Sequence, residues 1–517
     1  MISQTENNAV AFVTTKDELL DLFFILAESS PSFDDDRLRD KVLSAARVDP
    51  EDTLKILIQA RDCRGGKGIR CQSMYALVVF LIHCRHKTHV IEMLTRELPQ
   101  FGRYRDMIEF YLACTSKLTC QRLGYSIDEN SVCKPVRIAV VRAYVEQLRK
   151  DFSAIQQDEN ASITLAAKWL TSEKKKNLAT FYEMVARTAF PGCSDSCARF
   201  RKEMLNPLRR RLALVETRMS EMNYQGITYS QVPSKAMSKY VKAFRRNDGE
   251  RHQQFLDSLN RGETTIKGGR LYPHDIVRSL MGTTDDTIAE QLEHQWESMV
   301  RENVNTDALH KTVVVCDVSA SMIGTPMDVS IALGVLISSF TAEPFRGHVI
   351  TFSATPTLHA LPMEAKLSDK VSAIRRAPWG ANTDIIAVFR LILDTVLSEE
   401  DPASALPETL IILSDMQFDE AIGSAARHLT PVEVARSMFS EHALAMPNIV
   451  FWNLRSSKKD AFPVTKHDSG ACLLAGPSPT LLNALMLGND ISPDGVLKRE
   501  VLDNPRYEGI TYPSTEF

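Results

Sequence analysis

The 517-residue sequence contains no apolar run approaching the roughly 18 residues needed to cross a bilayer. The apolar stretch from Tyr75 to Cys84 is too short and meets Arg85 directly. The first residues, MISQTENNAVAF, lack both a charged leader segment and an apolar one, so no secretory signal is expected. A cysteine framework is also missing. The ten cysteines are scattered, and a chain this long buries a core without disulfide staples, so reduced thiols in an intracellular, cytoplasmic protein are expected. Cys193 and Cys197 stand at near-metal spacing in PGCSDSC, but no second pair follows with matching geometry, and they read as helix or turn cysteines. The three histidines of HCRHKTH at 83–89 read as a solvated turn closing an apolar helix. Strong net charge is absent too, at −4 overall. With 44% hydrophobic and 24% charged residues, the composition excludes wholesale disorder, a collagen-like repeat and a coiled-coil rod. Two to four domains are expected at about 100–200 residues each.

The near-neutral total conceals a split. Residues 301–517 hold 17 basic and 26 acidic side chains, a balance of −9, whereas residues 1–300 hold 44 and 39, a balance of +5. The front half reads as helix after helix. LLDLFFILAES, DTLKILIQARD, SMYALVVFLIHC, VIEMLTREL and YRDMIEFYLA place apolar residues at i, i+3, i+4 and i+7, and short breaks such as CRGGKG separate them. Repeated helix pairs of this size predict a HEAT-like helical array, although no tight sequence period is visible. A second helical group is expected over about 134–280.

Near residue 311 the pattern changes. KTVVVCDVS, HVITFS, ETLIILSD, NIVFWNL and ACLLAG are continuous apolar runs rich in β-branched residues, and apolar helices alternate with them. That alternation predicts a doubly wound α/β domain with a parallel sheet covered on both faces, over residues 301–517 behind a helical domain of residues 1–300. Ligands of such sheets sit at the carboxyl ends of the strands.

The chemistry-bearing residues stand at those ends. Asp317, Ser319 and Ser321 follow the first strand, Asp415 ends LIILSD, and Thr383 lies in the loop WGANTD that opens a helix. Two carboxylates and three hydroxyls are hard oxygen donors, suited to octahedral Mg²⁺ or another divalent cation, and so few carboxylates leave the ion able to accept an incoming anion. No general base accompanies these motifs, so an enzyme is not expected; the neighbouring Asp384 is expected to cap its helix. The order D-x-S-x-S, then Thr, then a strand-end Asp resembles the metal-ion-dependent adhesion site of the von Willebrand factor A domain. The resemblance covers about residues 311–490. It implies that Ser319, Ser321 and Thr383 bind the metal through hydroxyls, and that Asp317 and Asp415 bind it directly or through water.

In the front half, RDCRGGKGIR, FGRYRDMIEFY, ITLAAKWL, FRKEMLNPLRRRLALVETRM, QVPSKAMSKYVKAFRRND and RLYPHDIV together resemble an uncharacterised family of plants, protists and large DNA viruses that joins such a helical region to an A domain. That family is similar in architecture to the TROVE module of Ro autoantigen-type RNA-binding proteins, in which a ring of HEAT-like helices is closed by an A domain. The resemblance implies RNA binding. The candidate phosphate contacts are Arg61, Arg64, Lys67, Arg70, Arg103, Arg105, Arg201, Lys202, Arg209, Arg210, Arg211, Lys242, Arg245 and Arg246. Arg199, Lys235 and Lys239 extend the same basic runs, and Tyr240 and Phe244 are either stacking platforms or core. GGKGIR is not a nucleotide-binding P-loop, because Ile69 and Arg70 follow Gly68 where the motif needs lysine and a hydroxyl.

Two functions of different class remain open. One is a ribonucleoprotein component that grips RNA through the helical half and recruits a ligand through Mg²⁺. The other is a protein-interaction scaffold that captures an acidic partner at the metal and binds no nucleic acid. Membrane association is not expected of either.

Overall fold

The computed structural model describes residues 2–27, 36–116, 119, 132–170, 178–269, 271–304, 307–352, 356–377, 384–419, 429–455, 461–482 and 491–517. Its first element, unannounced by the sequence, is an antiparallel hairpin of β1 (Ile2–Gln4) and β2 (Val10–Phe12), with Ile2 opposite Phe12. The helical region follows. Asp17 accepts hydrogen bonds from the Leu19 and Leu20 amides and starts α1 (Glu18–Ile25). α2 (Asp36–Val48), α3 (Pro50–Arg61), α4 (Cys71–His83), α5 (Lys87–Phe101), α6 (Tyr104–Thr115) and α7 (Cys133–Gln157) pack largely against chain neighbours. α8 (Ala179–Ala189) leans on α7.

Within the second helical group, the run FRKEMLNPLRRRLALVETRM is broken into short pieces. Ser196–Phe200 passes through a π-helical turn, Arg201–Leu205, into Asn206–Arg211, and the backbone then leaves the helix at Ala213 with φ +44°. α9 (Ser234–Asn260) bends at Asp248, whose backbone is non-helical and whose carboxylate accepts hydrogen bonds from Tyr229 Oη and Arg251. α10 (Pro273–Met281) and α11 (Asp286–Asn303) end the helical region. No helix among the described residues is long and apolar enough to cross a membrane.

The C-terminal region is a six-stranded mixed sheet. Its strands are β3 (Thr312–Cys316), β4 (His348–Thr351), β5 (Leu358–Ala360), β6 (Thr409–Ser414), β7 (Asn448–Asn453) and β8 (Ala471–Ala475). They lie in the order β5-β4-β3-β6-β7-β8, all parallel except β5. The expectation of an all-parallel sheet is thus corrected at one edge: β5 is too short and too mixed in character to show as a strand in the sequence. Every residue of β3 is buried, which places cover on both faces. Part of that cover is α12 (Thr325–Ser338), which approaches so closely that a Cβ at Gly334 would lie 2.4 Å from Cys316 Sγ. α13 (Leu367–Arg376), α14 (Ile385–Leu397) and α15 (Pro431–Glu441) follow. Asp384 caps α14 through the Ile386 and Ala387 amides, in the role its position suggested.

Two segments cross the division expected at residues 300–301. Residues 5–8 dock on the loop at 417–419 of the sheet region, and Arg506 and Tyr507 return to bind Asp62 in the helical region. One apolar core therefore runs continuously from Leu20, Leu57 and Val140 to Val314, Ile411 and Phe451. A smaller second core gathers Tyr229, Phe244 and Leu256.

Candidate divalent-cation site

The chain order of the sheet strands reverses between β3 and β6, which lie side by side and parallel. At such a switch point the loops leaving the two strands diverge and open a crevice. Asp317 leaves β3 and Asp415 leaves β6, one on each side of it. Asp317 is fully buried and Asp415 is 5% exposed. The Asp317 amide continues the ladder by donating to Leu413 O at 2.9 Å, which fixes its height in the sheet.

Among the described residues, only neutral groups donate to these carboxylates. Asp317 Oδ1 accepts the Ser319 amide at 2.9 Å and Oδ2 accepts Ser414 Oγ at 2.7 Å. Asp415 Oδ1 accepts the Gln417 amide at 3.2 Å. Neither carboxylate has a basic partner among the described residues. Burial, and then the neighbouring charge of Asp415, push the Asp317 carboxyl up to about 6. Ser319 Oγ and Ser321 Oγ lie 3.0 Å apart at the mouth, with Ser321 exposed. Ile323, two residues on, is 68% exposed. Thr383 lies outside the described residues.

These donors fit a hard divalent cation. Two buried carboxylates, without a basic partner among the described residues, supply negative charge, and two hydroxyls supply neutral oxygens on the solvent side. The described residues hold no group of three or more His, Cys, Asp or Glu able to bind a metal. A site of two carboxylates completed by hydroxyls has no such cluster. Ser414 is the participant that sequence reading missed. Its signal was weak: a lone hydroxyl beside the strand-end Asp415, facing a carboxylate 97 positions away.

The basic inventory of the helical half fares differently. Arg61 and Lys67 are corrected from surface contacts to internal ones. Arg61 is 1% exposed and pairs with the buried Asp106. Lys67 is fully buried, donating to Phe23 O and, at 3.1 Å, to Leu26 O, with its Nζ 3.9 Å from the Phe23 ring centre. Burial holds its ammonium well below the ordinary lysine range. Gly476, at φ +111°, packs on its stem, where a Cβ would come within 2.9 Å.

Arg209 and Arg211 spend their guanidiniums on backbone carbonyls. Arg209 binds Ala167 O and Leu170 O, and Arg211 binds Ala161 O and Asn160 O. Arg64 likewise reaches Gln100 O and Gly102 O. Arg70 and Arg105 both grip Glu109, Arg103 faces Asp106 and the Trp169 ring, and Arg245 pairs with Asp285.

Arg201, Lys202, Arg210, Lys242 and Arg246 stay on the surface. Lys235 pairs with Asp275, Arg199 pairs with Glu203, and Lys239 lies over Tyr240. Phe244 is core, and Tyr240 is half-buried with its hydroxyl on Glu216. Cys193 and Cys197 form no disulfide, His86 meets the Tyr512 ring edge-on at 5.3 Å, and His89 Nε2 lies 3.0 Å from Thr511 O.

Comparison with known proteins separates the same two regions. Residues 311–505 match a family model described as domain of unknown function DUF7788. Residues 5–122 and 114–308 match one described as domain of unknown function DUF2828. An uncharacterized protein of Acanthamoeba polyphaga mimivirus, L728, is 29% identical over 516 residues, covering 96% of this chain and 86% of that protein. Because the DUF2828 matches span more than half of the sequence, the chain belongs to the DUF2828 family.

Proposed function

We propose that the C-terminal region is a von Willebrand factor A-type domain that binds a divalent cation, with Mg²⁺ the expected ion, and captures an acidic partner through it, while the helical half serves as a non-catalytic scaffold. The observation that carries this reading is the pairing of Asp317 and Asp415 at one strand switch point with no basic side chain, among the described residues, to neutralise them. Buried like charges are expensive unless a counter-charge is supplied. Asp317, Asp415, Ser319 and Ser321 would hold the ion, with Thr383 as the further hydroxyl that the motif implies. The bound cation supplies positive charge at the mouth and a coordination position for a partner carboxylate. Around it, the chain's own residues divide the work. Ser414 and the Ser319 amide orient Asp317, the Gln417 amide orients Asp415, and Ile323 offers an apolar contact beside the ion.

The test is a titration with Mn²⁺ followed by electron paramagnetic resonance, then addition of a hexaglutamate peptide. Binding of one ion, lost in Asp317→Ala, with a spectrum altered by the peptide, supports the proposal. A protein that binds no Mn²⁺ contradicts it.

A second reading is favoured by the basic residues that remain exposed. Arg201, Lys202 and Arg210 lie on one helical stretch, and Lys242 and Arg246 lie on α9. They could contact phosphates in a ribonucleoprotein of Ro-like build, with a TROVE-like, HEAT-like helical array. The internal duties of Arg61, Lys67, Arg209 and Arg211 weaken this reading, and the front-half excess of +5 is small for binding by charge. Copurifying nucleic acid, seen as a high 260/280 absorbance ratio, would reverse the order of preference.

A further inference from the structure

The loop that follows Asp415 is held from the far end of the chain. Thr5 Oγ1 donates to Phe418 O at 2.5 Å. The Glu6 amide donates to Gln417 Oε1 at 2.7 Å, and Asn7 Nδ2 donates to Gln417 O at 2.9 Å. Asn8 forms an antiparallel bridge with Asp419. Gln417 is thus gripped at both its side chain and its carbonyl, while its amide supports Asp415 Oδ1. Between the two stands Met416 at φ +64°, a left-handed conformation that costs a side-chain residue energy and persists only where surroundings impose it. The Met416 amide binds Ser414 Oγ, the same hydroxyl that donates to Asp317. One short loop therefore links both carboxylates to residues 5–7.

The docked segment is itself anchored. Phe12 and Phe462 exchange backbone hydrogen bonds at 2.9 and 3.1 Å, Thr15 O accepts the Lys466 amide at 2.9 Å, and Lys466 pairs with Asp17 at 2.9 Å. Thr5 and Gln417 are both buried, so their contacts are shielded from competing water.

We infer that Gln417 is a positioning residue for the cation site and that residues 5–7 are the brace that holds it, so that cation affinity in the C-terminal sheet depends on the hairpin at residues 2–12. This rests on the cation reading given above. Coupling of this kind is reciprocal: if the docked brace strengthens cation binding, the cation must strengthen docking by the same factor.

The full-length protein tests both directions. Mn²⁺ affinity is measured by electron paramagnetic resonance for Thr5→Val, which keeps shape and removes the hydroxyl, for Thr5→Ser, which restores the hydroxyl, and for Asn7→Ala, which alters an exposed side chain. Hydrogen exchange of residues 2–12 is followed with and without saturating Mn²⁺. The brace predicts affinity losses of about three- to tenfold in Asn7→Ala, the scale of one lost hydrogen bond, at least as much in Thr5→Val, whose hydroxyl also accepts the Ala9 amide, and near-wild-type affinity in Thr5→Ser. It also predicts slower exchange across residues 2–12 when the ion is bound. Wild-type affinity in Thr5→Val and Asn7→Ala, with hairpin exchange indifferent to Mn²⁺, overturns the brace and leaves the cation site standing. Absence of Mn²⁺ binding in the wild type overturns both, and is a distinct result. If Thr5→Val does not fold, Asn7→Ala and the exchange measurement decide.

Discussion

Ser414 Oγ donates a 2.7 Å hydrogen bond to Oδ2 of the fully buried Asp317, joining the ends of two adjacent parallel strands. The bond ties the strand ends that carry Asp317 and Asp415 to one another, and with the Ser319 amide it solvates the Asp317 carboxylate. Ser414→Ala leaves a buried carboxylate oxygen without that donor. The substitution should cost about 1–3 kcal/mol in urea denaturation without cation, and less once Mg²⁺ is added and the carboxylate has a counter-charge. Equal losses in both conditions would contradict a cation beside Asp317.

Asp62 is the hub of the junction between the two ends of the chain. Its buried carboxylate accepts Arg506 through both Nε and Nη2, Tyr507 Oη at 3.1 Å, and the Arg64 and Gly65 amides at 2.9 and 3.2 Å. Arg506→Ala strands this charge and should destabilise by about 3 kcal/mol. Arg85→Ala breaks a pair with Glu516 in which both side chains are more than 60% exposed, and should cost under about 0.5 kcal/mol. Chemical denaturation of the two variants side by side checks the contrast, and similar losses would deny Asp62 its role.

His274 gives a pH signature. It is 6% exposed, stacked on Tyr272 at 5.4 Å, and burial pulls its imidazole down to about 4 despite the nearby Asp275; Arg278 and Lys235 pull the same way. Because the folded value lies below the unfolded 6.5, the folded state prefers the neutral ring. Its contribution is fully present above pH 6.5 and is lost as pH falls through about 4. The loss should approach about 3 kcal/mol, from 1.36 kcal/mol per unit. Denaturant midpoints between pH 7 and 4 should fall less steeply in His274→Phe than in the wild type, and parallel curves would refute the assignment.

The surface arginines separate the two functional readings. Filter binding of a single-stranded RNA over a salt series should show weak affinity and a shallow slope if the scaffold reading holds. If RNA binds, Arg201→Glu combined with Arg210→Glu should weaken it across all sequences and flatten the slope by about two contacts. The fully buried Lys67 should contribute no part of that slope.

Much of the C-terminal site was legible in the sequence because its determinants are local. A continuous apolar run ending in a carboxylate marks both a buried parallel strand and its carboxyl end, so Asp317 and Asp415 could be placed before any coordinates. Asp384 is visible for the same reason, as a cap directly before an apolar helix. The helical half hid its logic because a basic run looks alike whether its partners are phosphates, carboxylates or carbonyls. Arg61 finds Asp106 45 positions away and Lys67 finds Phe23 O 44 positions away, and nothing in CRGGKGIR reveals either. The hairpin at residues 2–12 escaped notice because its strands are only three residues long and the surfaces it docks on, at 417–419 and 462, lie roughly 400 positions away.

The most direct test of the central claim is the thermal unfolding midpoint of the wild type and Asp317→Asn, each in chelator and in saturating Mg²⁺. A cation held by Asp317 and Asp415 raises the wild-type midpoint in Mg²⁺, since the ion binds the folded state alone. Asp317→Asn, relieved of one of two like charges, should melt no lower than the wild type in chelator and be unmoved by Mg²⁺. A wild type indifferent to Mg²⁺, or an Asp317→Asn protein that gains as much from the ion as the wild type, would contradict the claim.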